Sequence, residues 1–244
     1  SHIHFVANDT YADRVRQMGE EDWRICVSGE PGLDNINRLP LMSRHELSEN
    51  LGLDLGKLTT LVTYHPVTLE RDRLSFQMGE LVNSLRVIRE HYDMQFVITY
   101  PNADPGSAYI IRVWERYVEE SEGSILIRNL GQKRYLTALR DMALMIGNSS
   151  SGIYEAPEFN LPVVNIGSRQ GGRIRATNVF DVGNESSEII QGVRQALNYN
   201  RFAKCKNPYG DGKSSEKILS FLKKTFDQKA KSELLCKKFS DIAR

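Results

Sequence analysis

The sequence predicts an α/β protein with a doubly wound parallel sheet, and three observations support this. Short apolar runs alternate with helical segments from residue 57 onward. Glycines and polar residues crowd the points where these runs end. The chain has 244 residues, 40% of them hydrophobic, which is enough for a substantial core. Repeated strand and helix units form parallel sheets, because right-handed crossovers place the helices on both faces of the strands.

Six apolar runs are the predicted strands, and two stripes at helical spacing are the clearest predicted helices. The strands are expected at 58–64, 95–100, 125–127, 143–146, 163–166 and 179–182. The first stripe is formed by Leu74, Met78, Leu81, Leu85 and Ile88, and the second by Ile110, Val113, Trp114 and Tyr117. In such a sheet, ligands bind outside the carboxyl ends of the strands.

The chain divides into three predicted segments. Residues 1–40 carry a strand at 3–7, a helix at 9–18 and a strand at 23–27, which is typical of the tail of a preceding α/β domain. Residues 41–212 form the main sheet domain. Residues 213–244 contain two predicted helices, at 214–226 and 229–243. Because the chain starts without methionine and enters a strand at once, we expect it to be cut from a longer protein.

Composition and charge narrow the classes of partner. The 32 basic and 31 acidic residues leave a net charge of +1, so no overall field favours nucleic acid or a membrane surface. A small-molecule partner is therefore expected. Cys26, Cys205 and Cys236 match no metal or redox spacing, and every apolar run is too short to span a bilayer. A cytoplasmic location is the resulting expectation.

A turn rich in glycine and serine, residues 147–155, is the most informative motif. It follows the apolar run 143–146 and opens a short helix. Small residues allow close backbone approach, and the first N–H groups of a helix favour an anion, so Ser149 and Ser150 are predicted to hold phosphate. Glu155, one helical turn further on, can accept hydrogen bonds from two ribose hydroxyls. A capped helix start would use the same residue types.

Three other strand ends carry candidate residues. His65 follows the first strand, where it could bind phosphate or transfer a proton, and Pro66 turns the chain away there. A histidine without such a role is the alternative. Asn102 follows the second strand and could bind a sugar or phosphate, although ordinary turn chemistry also explains its segment. Leu130 follows the third strand, and its backbone groups could hydrogen-bond to the edge of a planar base.

A second glycine-rich loop, residues 167–175, follows the fifth predicted strand. It contains three arginines, Arg169, Arg173 and Arg175. Because parallel strands end at the same edge of the sheet, this cationic loop is expected beside the serine turn. Together the two loops favour a nucleotide over a bare phosphate.

These motifs, in this order, resemble the hydrolysing UDP-N-acetylglucosamine 2-epimerases. The resemblance also includes residues 209–212, and it implies a two-domain fold of the GT-B type in which 41–212 is the Rossmann-like, UDP-binding domain. It implies that Ser149 and Ser150 hold the diphosphate, Glu155 binds the ribose and the Leu130 backbone reads uracil. Arg169, Asn102 and His65 would complete the pocket, with His65 as the catalytic residue.

The resemblance also implies a reaction. UDP is eliminated from UDP-N-acetylglucosamine to leave a 2,3-dehydro sugar, and water adds so that N-acetylmannosamine is released for sialic acid synthesis. A carboxylate must take the carbon 2 proton or assist departure, while positive groups stabilise the leaving UDP. No metal or redox cofactor is implied. The partners implied are UDP-N-acetylglucosamine, UDP and, in the intact enzyme, further copies in a dimer or tetramer.

The chain departs from the family in lacking most of the amino-terminal half, so we expect it to bind UDP and to catalyse poorly. Three alternatives stay open. The substrate could be a UDP-2,4-diacetamido-2,4,6-trideoxyhexose, with the same mechanism. The chain could instead belong to a UDP-dependent GT-B glycosyltransferase, or to a nucleotide-sugar sensor without catalysis.

Overall fold

A computed structural model describes residues 1–203 and 205–241. The chain forms two compact units, one made of Ser1–Leu39 with the chain from Asn207 on, the other of Pro40–Lys206. Two of the predicted segments, 1–40 and 213–244, therefore contribute to the same unit. The sheet unit ends at residue 206, whereas the sequence placed its end at 212.

The helices and strands follow one another in nearly regular alternation. The strands are β1 His4–Val6, β2 Ile25–Val27, β3 Thr59–Thr63, β4 Gln95–Thr99, β5 Ser124–Ile127, β6 Leu144–Gly147, β7 Val163–Ile166 and β8 Val179–Val182. The α-helices are α1 Asp9–Gln17, α2 Asp34–Arg38, α3 Arg44–Leu51, α4 Leu74–Tyr92, α5 Ser107–Glu119, α6 Gly131–Asp141, α7 Ser151–Tyr154, α8 Ser186–Leu197, α9 Ser214–Gln228 and α10 Lys231–Leu235. Short 3₁₀ segments lie at Asp22–Arg24, Pro31–Leu33, Thr68–Arg73 and Ala156–Phe159.

The larger unit contains a six-stranded sheet in the order β5-β4-β3-β6-β7-β8. Every neighbouring pair in it is parallel. The order runs outward in two directions from the β3–β6 pair, so the predicted doubly wound sheet is confirmed. Such a sheet opens its ligand crevice where the strand order reverses, at the carboxyl ends of those two strands.

The core of the larger unit lies around the four central strands. All residues of β3, β4, β6 and β7 are buried. The stripe predicted on α4 is buried in full. On α5, Ile110, Trp114 and Tyr117 are buried, as the second stripe predicted. No helix in the described part of the chain combines the length and apolar character needed to cross a membrane.

The smaller unit has its own parallel strand pair, β1 with β2. Arg24 beside this pair is fully buried, and its guanidinium donates to the carbonyl oxygens of Glu233 at 2.8 Å, Leu234 at 3.1 Å and Cys236 at 3.3 Å. Because the Arg24 side chain donates to these carbonyl groups, the helix can end here without leaving them unpaired. The helix predicted at 229–243 is therefore wrong in length: α10 ends at Leu235. Its predicted last residue, Ala243, lies outside the described residues.

Candidate functional site

The carboxyl ends of three adjacent strands form the candidate site. Thr63 of β3 is in register with Gly147 of β6, and Gly147 is in register with Asn165 of β7. The segments that follow these strands carry His65, the serine turn and the arginine loop. The sheet thus brings together three motifs that the sequence separates by up to about a hundred residues.

Gly147 allows the turn between β6 and α7 to form. Its φ is +139°, and a Cβ atom at this position would lie 1.9 Å from the carbonyl oxygen of Thr63. Since a side chain would have to occupy the space of a neighbouring strand's backbone, glycine is required here. This close approach also places Asn148 directly against the end of β3.

Asn148 connects all three segments of the site. It is fully buried, and its side chain accepts from the His65 N–H at 2.7 Å and donates to the His65 carbonyl at 2.9 Å. Its carbonyl oxygen accepts from Gln170 at 2.7 Å and from Arg169 at 3.1 Å. Asn148 was not among the residues predicted for the site. Its place in a Gly-Asn-Ser-Ser turn was the available signal, but such an asparagine is equally expected to cap a helix.

His65 is held in one neutral form. The residue is 6% exposed, and its Nδ1 accepts from the Asn102 N–H at 3.0 Å. A ring nitrogen that accepts carries no proton, so the neutral ring has its proton on Nε2. Burial and, after it, the nearby Arg169 charge lower the pKa of His65 to about 4, whereas the Asp104 charge acts to raise it. At neutral pH the Nε2–H of the uncharged ring is therefore the donor that His65 can offer to a phosphate.

The buried His65 gives folding stability a defined pH dependence. As pH falls from 6.5 towards 4, the unfolded chain takes up a proton that the folded chain does not, so stability falls in that window. We expect this histidine alone to remove about 2 kcal/mol between pH 7 and pH 5. Urea denaturation at both pH values measures the loss. The His65→Gln variant should lose about that much less on acidification, and an equal loss in both proteins would contradict the prediction.

The arginine loop is braced by its own side chains. Gln170 is 1% exposed, and its side-chain oxygen accepts from Arg173 at 2.6 Å. Arg175 donates to the Gln170 carbonyl at 2.9 Å and pairs with Asp181 at 3.0 Å. Burial lowers the pKa of Arg169, Asp104 opposes this shift and the neighbouring Arg173 adds to it. The guanidinium still remains charged at neutral pH and forms no salt bridge with a described carboxylate.

The serine turn presents backbone donors to the same edge. Among the described residues, the N–H groups of Ser149 and Ser150 have no hydrogen-bond acceptor in the chain. The oxygens around them are used internally: Ser149 Oγ accepts from the Ser151 N–H at 3.3 Å, and the Ser150 carbonyl accepts from the Ile153 N–H at 2.9 Å. The turn therefore has two backbone donors left for a ligand, whereas these acceptors are already used within the turn.

The remaining predicted residues lie around this edge. Glu155 directly follows α7 and is half-buried, with its N–H donating to the Ser151 carbonyl at 2.9 Å. Leu130 is 3% exposed, and its carbonyl accepts from Arg134 at 2.7 Å. The Asn102 side chain is exposed, and the backbone N–H of this residue donates to His65 Nδ1.

The site is a set of donors suited to an anion. The His65 Nε2–H, the Arg169 guanidinium and two serine N–H groups follow strands that end at one edge. Charge-assisted bonds of this kind are about twice as strong as neutral ones. In residues 1–203 and 205–241 there is no group of three or more His, Cys, Asp or Glu side chains that could hold a metal ion.

Comparison with known proteins identifies the family. The sequence profile of UDP-N-acetylglucosamine 2-epimerase matches residues 1–223. The chain is 38% identical over 223 residues to the UDP-N,N'-diacetylbacillosamine 2-epimerase (hydrolyzing) of Legionella pneumophila, covering 91% of this chain and 58% of that protein. It is 30% identical over 202 residues to the UDP-N-acetylglucosamine 2-epimerase of Neisseria meningitidis serogroup B, covering 83% of this chain and 52% of that protein. The chain thus spans between half and three fifths of these relatives.

A solved structure shows the same fold. The UDP-GlcNAc 2-epimerase from Neisseria meningitidis bound to UDP-GlcNAc superposes with a TM-score of 0.77 at 19% identity, over 92% of this chain and 62% of that one. This likeness confirms the predicted α/β fold with a Rossmann-like parallel sheet of the GT-B type. Together with the profile match, it confirms the resemblance drawn from the motifs. The chain belongs to the UDP-N-acetylglucosamine 2-epimerase family.

Proposed function

We propose that residues 40–206 bind the UDP part of a nucleotide sugar and that the chain is the nucleotide-binding part of a hydrolysing 2-epimerase. What supports this proposal is that four donors, from His65, Ser149, Ser150 and Arg169, lie in the segments that follow β3, β6 and β7, at the edge where the strand order reverses. A diphosphate fits this donor set, because its charge is spread over several oxygens. Glu155 would bind the ribose and the Leu130 backbone the uracil.

In the proposed reaction the donors act on the leaving group. Breaking the bond between carbon 1 and the diphosphate leaves negative charge on UDP, and the Arg169 guanidinium and the two serine N–H groups would stabilise it. The Nε2–H of His65 would add a neutral donor to the same oxygens. A carboxylate must also remove the carbon 2 proton or assist the departure of UDP. We propose that the chain alone binds UDP but turns over little, with further catalytic groups contributed from outside residues 40–206.

Two UDP-sugars are candidates for the substrate. UDP-N-acetylglucosamine would be converted with water to UDP and N-acetylmannosamine, as the resemblance implies. The 38% identity to the Legionella enzyme favours UDP-N,N'-diacetylbacillosamine instead. Both share the 2-acetamido group and the UDP leaving group, so the same donors would serve either.

Titration calorimetry with UDP, followed by product analysis with each UDP-sugar, tests the proposal. We expect the chain to bind UDP. Release of UDP together with a free sugar inverted at carbon 2 would identify the reaction and its substrate, whereas transfer of the sugar to an acceptor would indicate a glycosyltransferase. A chain that does not bind UDP would overturn the proposal.

Replacing Glu155 tests the ribose contact. Glu155→Ala is expected to weaken UDP binding by about 1.5 to 3 kcal/mol, because a charged acceptor for two hydroxyls is lost. Calorimetry with UDP and with 2′,3′-dideoxy-UDP measures the effect, and the dideoxy ligand should bind wild type and variant alike. Glu158→Ala, at an exposed position of the following 3₁₀ segment, is the matched control. Equal losses for both ligands would remove Glu155 from the ribose site.

A further inference from the structure

Glu70 joins the segment after β3 to the arginine loop after β7. One of its carboxylate oxygens accepts from Ser168 Oγ, and the other accepts from Gln77 Nε2 at 2.6 Å. Ser168 immediately precedes Arg169 in the chain. Glu70 thus forms a direct side-chain link between the segment that carries His65 and the loop that carries Arg169.

The Glu70 carboxylate is anchored in the core. Gln77 on α4 is 2% exposed, and its side-chain oxygen accepts from the hydroxyl of Tyr64 at 3.2 Å. Tyr64 is 1% exposed and directly precedes His65. Burial, and after it the Glu70 charge, raises the pKa of Tyr64, so the phenol stays protonated and keeps donating. The chain of bonds from Tyr64 through Gln77 to Glu70 therefore fixes the carboxylate against buried groups.

The backbone at Glu70 is not helical. Within the 3₁₀ segment Thr68–Arg73, Glu70 alone departs from helical geometry, with φ of −127° and ψ of 34°. A carboxylate only accepts hydrogen bonds, and each of its oxygens here has a donor from a different element. The acceptor-only side chain of Glu70 therefore matches the two donors, Ser168 and Gln77, that it contacts.

The residues on both sides of Arg169 are held to the rest of the site. Gln170 donates to the Asn148 carbonyl at 2.7 Å, and Ser168 donates to Glu70. An arginine side chain loses about 2 kcal/mol of rotamer entropy when it is ordered, so movement of its backbone would add to the cost of reaching an anion. Fixing the two flanking residues limits that movement. Asn148 fixes one flank, and Glu70 fixes the other.

We propose that Glu70 is a positioning residue, which holds the loop at Ser168 so that the Arg169 guanidinium meets the diphosphate. This inference rests on the proposed UDP site and adds a residue outside the motifs that define it. Glu70 acts through Ser168 and Arg169. Its removal should therefore weaken binding of the diphosphate and leave binding of the nucleoside unchanged.

The test compares UDP with uridine, which lacks the diphosphate. We expect Glu70→Ala to raise the Kd of UDP about tenfold and that of uridine less than twofold, measured by calorimetry and NMR titration. Glu70→Gln, which retains one acceptor, should show a smaller loss. Ser168→Ala removes the same contact from the exposed side of the link and should reproduce the selective loss, even if a Glu70 variant folds poorly.

Two controls separate positioning from general stability. Glu80, on α4, accepts from the Ser186 N–H at 2.7 Å, and Glu80→Ala should leave both affinities unchanged. In an Arg169→Met background, Glu70→Ala should cause no further loss of UDP affinity. Equal losses for UDP and uridine, or additive losses with Arg169→Met, would overturn the inference while UDP binding by the wild type stands. A wild-type chain that does not bind UDP would overturn the proposed function and this inference with it.

Discussion

Gly147→Ala is expected to destabilise the sheet unit by about 4 kcal/mol or more, which is exceptional for the addition of one methyl group. The added Cβ would lie 1.9 Å from the Thr63 carbonyl oxygen, and the φ of +139° is a conformation that alanine rarely adopts. Relief would require β3 and β6 to separate at their registered ends, where Asn148 begins its bonds to His65. Urea denaturation at neutral pH measures the change.

Gly79→Ala provides the control for this substitution. Gly79 lies inside α4, and a Cβ there would meet no heavy atom within 4 Å. Because alanine favours the helix over glycine, this variant should be more stable than wild type by up to about 1 kcal/mol. A Gly147→Ala protein with wild-type stability would show that β3 and β6 do not approach as closely as described.

The periodic parts of the fold could be predicted from the sequence. Six strands and the stripes on α4 and α5 follow from local spacing of apolar residues, because burial of one face imposes that spacing. Alternation of strand and helix then predicts parallel strands, and with them a shared edge for His65, Ser149 and Arg169. The observed sheet agrees with these predictions.

Features set by contacts between distant residues could not be predicted in this way. The end of α10 depends on Arg24, which is more than two hundred residues away in the chain and bonds its last carbonyls. The neutral state of His65 depends on burial and on an N–H from Asn102. Neither the burial of a single polar residue nor its partner is encoded in local spacing.

The network around Asn148 shows how stability and binding are connected here. Its buried amide fixes the backbone of His65, and its carbonyl receives Arg169 and Gln170. The donors that we propose for the diphosphate are therefore oriented before any ligand arrives. Such preorganisation reduces the entropy that binding must overcome.

Asn148→Leu is expected to cost about 2 to 5 kcal/mol of folding stability and to abolish measurable UDP binding. Leucine has a similar shape but leaves the buried N–H and carbonyl of His65 without partners, and each unsatisfied group costs about 1 to 3 kcal/mol. Once His65 is no longer held, the donors that converge on the diphosphate separate. Urea denaturation and UDP calorimetry on the same variant measure the two effects.

Asn148→Asp gives the prediction a signature that a general packing defect lacks. The carboxylate keeps the acceptor for the His65 N–H but faces the His65 carbonyl with oxygen instead of the donating NH₂ group, so burial and repulsion should raise the pKa of the introduced acid. A raised pKa in the folded state stabilises at low pH and loses that effect as pH rises. The stability deficit of Asn148→Asp relative to wild type should therefore be large at pH 7 and smaller at pH 5.

Asn198→Asp is the control for this substitution. Asn198 lies at an exposed helix end, where its amide donates to the Arg194 carbonyl at 2.9 Å, and the variant should show only a small stability deficit at either pH. A deficit in Asn148→Asp that does not change with pH would mean that the amide does not bridge the His65 backbone.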